Sequence, residues 1–112
     1  RLARIREIPG KMPQVLADLL AFYSKSYINS HRDMTGAAVH DPCAVLALTH
    51  PELFSISPEH VAIELTAEHT RGMTLVDRRQ YSKPVAPNCD VVWGVEDEPA
   101  FDVLIEAIRF FT

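Results

Sequence analysis

Apolar positions follow two different periods along this chain. Leu2, Ile5 and Ile8 fall at helical spacing until Pro9-Gly10 interrupts them. From Lys11 to about Arg32 the residues Met12, Val15, Leu16, Leu19, Phe22, Tyr23 and Ser26/Tyr27 keep the i, i+3, i+4, i+7 rhythm of a one-sided helix. Asp33 to Val39 reads as a loop loosened by Gly36. A second helix is expected to open at Asp41-Pro42, with Asp41 as N-cap and Pro42 at its first position. Pro51 restricts His50 and should stop that helix near Thr49. Ser55 to Glu59, which carries Pro58, reads as a connection.

The period then shortens. Val61, Ile63 and Leu65 alternate with smaller or polar neighbours, as in a half-buried strand. Met73 to Val76 is a second short strand, and Ala67 to Gly72 would join the two as a hairpin. Asp90 to Val95 is a third strand, preceded by a Pro-bearing loop from Tyr81 to Asn88. A final helix is expected from Asp97, as cap, to Phe110, burying Phe101, Leu104, Ile105 and Ile108. The order predicts an α/β fold of helices plus a short, mostly antiparallel strand set. There are no internal repeats and no low-complexity segments.

Composition narrows the class. The 112 residues have room for one modest core, and the 47% hydrophobic content is ordinary for a globular protein. A net charge of −4 with scattered basic residues argues against a nucleic-acid surface. Cys43 and Cys89 lie far apart and form neither a zinc motif nor a disulfide framework, so a reduced, cytoplasmic protein is the default. No apolar run is long enough for a membrane span, and no signal-peptide pattern opens the chain. The chain begins without Met inside a charged amphipathic segment and is expected to be a fragment, a single partial domain over 1–112.

The chemistry concentrates in His40-Asp41-Pro42, where a loop becomes an apolar helix running on to His50-Pro51-Glu52-Leu53-Phe54. A histidine titrates near neutral pH and can give or take a proton. Beside it stands a hard oxygen ligand. Upstream, Tyr23 and Tyr27 at i, i+4 share one helix face, as pocket wall or as core packing. Downstream comes Thr70-Arg71-Gly72-Met73-Thr74-Leu75-Val76-Asp77, then Asn88 before a strand. His31, His50, His60 and His69 match no metal-ligand spacing. Arg71 and Asp77 read as structural or subunit-contact residues, Cys43 as a small buried hydrophobe, and Trp93 as a residue packing sheet on helix.

Taken in this order, these segments resemble the C-terminal part of the inosine–uridine nucleoside hydrolase family, over most of residues 11–112. The resemblance implies a Rossmann-like parent fold and hydrolysis of the N-glycosidic bond of purine or pyrimidine nucleosides, as in nucleoside salvage. It also implies a calcium ion, held mostly by aspartates, that binds the ribose hydroxyls and orients water. On this view Asp41 is a calcium ligand, His40 stands near the leaving base, and Tyr23 and Tyr27 face the nucleobase. The family's Asp-x-Asp-x-x-x-Asp-Asp block and its ribose-binding Asn and Glu residues are not in this sequence. One carboxylate cannot satisfy an ion that takes about 6–8 oxygens, so the 112 residues alone are expected to be inactive. Lacking their partner half, the helices should expose Leu16, Leu19, Val45 and Leu48 and make the chain self-associate as a homo-oligomer. The alternative is a non-catalytic binding or oligomerisation domain, in which His40-Asp41-Pro42 is only a helix start.

Overall fold

The computed structural model describes residues 1–30, 38–79 and 85–112. The expected loop from Asp33 to Val39 lies outside the described residues except for Ala38 and Val39, as do His31, Arg32 and the Gln80–Pro84 stretch. The chain forms two compact units, Arg1–Leu53 with Glu96–Thr112, and Phe54–Val95.

The first unit is helical: α1 (Leu2–Arg6), α2 (Lys11–Ser30), α3 (His40–Thr49) and α4 (Asp97–Phe110), with a 3₁₀ turn over Pro51–Leu53. Five residues are too few for a helix to persist alone, so α1 depends on what holds it. Ile5 and Ile8 insert beside Ala17 of α2 and Ile105 of α4, with Leu20, Phe101 and Ile108 closing the edge. Gln14 donates from Nε2 to the carbonyls of Arg6 (3.0 Å) and Ile8 (3.3 Å), which satisfies the open C-terminal end of α1. The reversal into α2 turns on Gly10, whose φ of +115° lies where a Cβ would be strained.

Beside this core, Arg1 bonds Asp97 and Glu98 of α4, and Arg4 bonds Asp102. Both guanidiniums lie over the Phe101 ring, 5.6 and 5.2 Å from its centroid. Hydrogen bonding from Arg1, then its charge, holds the Asp97 carboxyl below the usual carboxylate range. The sequence makes Asp97 the cap of α4. Instead Glu96 occupies that position without a side-chain cap bond, and Asp97 is drawn into the first turn by Arg1.

The second unit consists of two antiparallel pairs, β1 (Phe54–Glu59) with β4 (Cys89–Val95), and β2 (Val61–Ile63) with β3 (Thr74–Val76). Here the reading of Ser55–Glu59 as a connection is overturned. Pro58 stands opposite Asp90 in a two-stranded sheet, where a residue without an N–H can occupy an edge. The register slips between Ser55 and Ile56, leaving Trp93 as the extra residue of β4. That bulge turns the indole onto its own sheet. Its Nε1 donates to Ser57 Oγ at 2.8 Å, Arg78 sits 4.8 Å over the ring, and the side chain stays 47% exposed. These contacts hold the ring within its own unit.

The hairpin of β2 and β3 forms as expected, but it is shorter. Ile63 is exposed and Leu65 falls beyond the strand, so only Val61 of the alternating face is half-buried. The turn is tied by the Glu64 carboxylate, which accepts from the backbone N–H groups of Thr66 (2.8 Å) and Ala67 (3.1 Å) and from the Thr66 hydroxyl. These bonds hold Glu64 below the usual carboxylate range. Gly72, at φ +89°, donates to the Glu64 carbonyl and closes the loop. Asn88 then does what a strand residue would do. Its amide accepts from Val61 N–H (2.8 Å) and donates to Val61 C=O (2.9 Å), a side-chain imitation of strand pairing that ties β4 to β2.

Candidate active site

The sequence places its chemistry at the start of α3, and the structure refines how that helix begins. Val39 is the cap residue, with no side-chain cap bond, so His40, Asp41 and Pro42 form the first turn. The assignment of Asp41 as N-cap and Pro42 as first residue is therefore corrected. The physical reason is that the first N–H groups of a helix have no intrahelical acceptor, so Pro42 fits at the third position as well as at the first. Asp41 remains favourably placed, its carboxylate beside the partial positive charge of the helix start. Leu46 anchors α3 at 5% exposure. At the other end the His50 N–H returns to the Leu46 carbonyl (2.7 Å) before Pro51 ends the run.

His40 and Asp41 are exposed, and neither makes a hydrogen bond or ion pair among the described residues. Tyr23 and Tyr27 do meet on α2. Their ring centroids are 5.7 Å apart with planes tilted by 54°. Tyr23 is 42% exposed and Tyr27 is half-buried, so the more exposed ring is braced by the other. Cys43 is half-buried one turn into α3.

A cleft of about 730 Å³ opens between α1, α2 and α4, and Val39 reaches its wall immediately before His40. Leu20, Ser24 and Ile28, one turn apart on α2, line it together with Phe101. None of the four candidate residues lines this cleft: the tyrosines occupy the neighbouring stripe of α2, and His40 follows the residue that does. Ser24 is the polar group that sequence reasoning passed over. Its signal was available in the Leu20, Ser24, Ile28 spacing, a hydroxyl set between two apolar residues on one face. Among the described residues no three His, Cys, Asp or Glu side chains cluster where a metal ion would need them.

Residues 1–102 match the family model of the inosine-uridine preferring nucleoside hydrolases. The chain belongs to that family. It is 38% identical to a pyrimidine-specific ribonucleoside hydrolase, RihA, of Shewanella woodyi, over 99% of this chain and 35% of that protein. RihA of Escherichia fergusonii is 32% identical over 96% of this chain and 34% of its own length. Among solved structures, a purine-preferring ribonucleoside hydrolase from Gardnerella vaginalis superposes with a TM-score of 0.77 at 27% identity, covering 96% of this chain and 34% of that one. A plant nucleoside hydrolase superposes at 0.75 with 21% identity, covering 96% and 35%, and so speaks for the fold alone. The chain thus spans about a third of the length of the relatives it matches. Its helices and short antiparallel strands are those of an α/β nucleoside hydrolase fold.

Proposed function

We propose that this chain is the part of a ribonucleoside hydrolase that faces the leaving base. In such a reaction water adds to the anomeric carbon and the carbon–nitrogen bond breaks. The electron pair leaves with the base, which must be protonated or otherwise stabilised. His40 is assigned to that task, giving a proton or a hydrogen bond to the departing base. Tyr23 and Tyr27 are assigned to the nucleobase side, where a tilted aromatic pair offers a ring face for stacking and hydroxyls for edge recognition. The observation that carries this reading is the opening turn of α3 in a chain of this family: an imidazole and a carboxylate, adjacent, exposed and uncommitted among the described residues.

Calcium does not fit the described residues by themselves. Asp41 offers one carboxylate, and no cluster of further ligands stands near enough to complete a shell of about 6–8 oxygens. Asp41 is proposed as one ligand of a calcium site whose other members come from elsewhere in a complete enzyme. Calorimetry on the 112 residues should accordingly show no tight calcium binding and no nucleoside hydrolysis; sub-micromolar affinity would contradict the proposal.

The proposed small-molecule partner is a nucleoside, and the proposed location is the cytoplasm. Among the described residues no helix is long and apolar enough to cross a membrane. Nucleic acid is not a partner in this reading. Homo-oligomer formation belongs to it, since Leu19, Val45 and Leu48 all stand in solvent on α2 and α3.

The reading is tested in a chimera in which these residues replace the matching third of the Shewanella woodyi relative. Release of free base and ribose from uridine or inosine supports it. A folded chimera that hydrolyses neither, beside an active parent, refutes it.

A further inference from the structure

Among the described residues of Phe54–Val95, no side chain is buried. A unit without an apolar core is held by hydrogen bonds and side-chain contacts, and such regions open at low cost in free energy. The β2–β3 hairpin forms a two-stranded sheet of its own, and its attachments to β1 and β4 gather at its base. On β2, the Asn88 side chain holds both polar groups of Val61, at 2.8 and 2.9 Å. Asn88 is itself fixed, since its backbone N–H donates to the Glu59 carbonyl at 3.0 Å. His60, the single residue between β1 and β2, sets its Nδ1 3.1 Å from the Ala86 carbonyl. Beyond β3, Arg78 reaches back over the Trp93 ring, 4.8 Å from its centroid, with its Nε 3.5 Å from the Glu59 carboxylate. Ser57 joins those two partners: its hydroxyl accepts from Trp93 Nε1 (2.8 Å) and donates to Glu59 (2.9 Å).

We propose that the β2–β3 hairpin is a stiff arm that pivots on the Asn88–Val61 clasp, with Arg78 over Trp93 as its releasable latch. This device is independent of the reaction assigned to His40. The two holds differ in strength. Asn88 makes two short bonds to backbone and continues the β1–β4 pairing. Arg78 has a long ion pair and a ring contact, and its side chain is 62% exposed, so water and salt compete for it. Beyond the base the arm is braced against bending. The Glu64 carboxylate ties the N–H groups of Thr66 and Ala67, the Glu64 N–H reaches the Met73 carbonyl (3.0 Å), and the Gly72 N–H reaches the Glu64 carbonyl (2.7 Å). Three residue pairs, from Val61 with Val76 to Ile63 with Thr74, carry that bracing down to the base. Releasing the latch therefore moves the hairpin in one piece and leaves its own bonds intact.

The test compares the 112-residue chain with its Arg78→Gln variant by NMR and by the emission of Trp93, the single tryptophan. Because Arg78 is exposed, the variant should fold, and the amides of α2 and α4 give the check. In the parent, residual dipolar couplings of β2 and β3 should share one alignment with those of β1 and β4. In Arg78→Gln the couplings of Ala62, Ile63, Thr74 and Leu75 should shrink together while those of β1 and β4 hold. Exchange at the Glu64 and Gly72 amides should stay as in the parent, and Trp93 emission should shift to longer wavelength as the indole gains water. Raising the salt concentration should move the parent the same way. A single alignment kept in Arg78→Gln would overturn the proposal, because the arm would then be fixed without its latch. Separate alignments already present in the parent would overturn it too, since no latch would be holding. Faster exchange at Glu64 and Gly72 in the variant would show a hairpin that melts and not an arm that swings.

Discussion

Helices α3 and α4 open in nearly the same way and are used differently. Each has a cap residue without a side-chain cap bond, Val39 and Glu96. Each carries acid in its first turn and proline at the third position, His40-Asp41-Pro42 in one and Asp97-Glu98-Pro99 in the other. In α4 the acids are taken up by the fold. Arg1 holds Asp97 and Glu98, Arg4 holds Asp102, and both cations rest on Phe101. In α3 neither His40 nor Asp41 has a partner among the described residues. One local pattern thus serves structure where a cation meets it and is left available for chemistry where none does. An acidic helix start is not a site in itself. What separates the two is the neighbourhood: α4 holds α1, and the open start of α3 is what the proposed role of His40 rests on.

The contrast can be broken in order of effect. Both helices should depend on their buried anchors alike. Ile105→Ala in α4 and Leu46→Ala in α3 each remove a nearly fully buried side chain, and each should cost about 2–5 kcal/mol in denaturant unfolding. If Leu46→Ala costs nothing, α3 is not anchored as described.

The helix starts should then diverge. Arg1→Ala leaves Asp97 without its cation and Glu98 with Arg4 alone, 3.6 Å away, and should lower Tm and loosen α1, read as faster amide exchange at Ile5 and Ile8. Asp41→Asn forfeits only the interaction with the helix start, about 0.3–1 kcal/mol, and should leave exchange at Ile5 and Ile8 unchanged. Equal losses from the two would end the distinction.

Acid should weaken the structural contacts of Asp97 and Glu64. Asp97 and Glu64 both titrate below the usual carboxylate range in the folded chain. Their contribution to stability is therefore present above the ordinary carboxylate pKa and lost as pH falls through the depressed folded value. Asp97→Asn should flatten the acid limb of a Tm–pH curve. A curve as steep as the parent's would assign that limb to other groups.

The smallest effect belongs to His40. Exposed and without partners, it should change stability by less than about 0.5 kcal/mol when replaced by Ala. A larger loss would make it a structural residue.

Much of this was legible in the sequence where periodicity was strong. Helix α2, the end of α3 at His50-Pro51, the β2–β3 hairpin and α4 follow from spacing and proline chemistry alone. Strand β1 was hidden because Pro58 argues against a strand unless the sheet has only two, a fact of tertiary pairing that no local window contains. The caps of α3 and α4 were each placed late for one shared reason. Asp invites the cap position, but Val39 and Glu96 took it while the acids went into the first turn. The role of Asn88 was invisible for the same reason as β1, since its partner Val61 lies 27 residues away. Of the site, the sequence named His40, Asp41, Tyr23 and Tyr27. It could show neither that the tyrosines touch nor that the first two lack partners, because contact and its absence are properties of the fold.

The most direct test of the central claim uses the chimera with the Shewanella woodyi relative and compares His40→Ala with its parent on two leaving groups. Hydrolysis of a natural nucleoside, whose base departs poorly without help, should slow by about 10²–10⁴-fold, the range expected for loss of a positioned proton donor. Hydrolysis of p-nitrophenyl riboside, whose leaving group needs no proton, should fall far less. Equal losses on both substrates, or none on either, would contradict the account and remove His40 from the departure of the base.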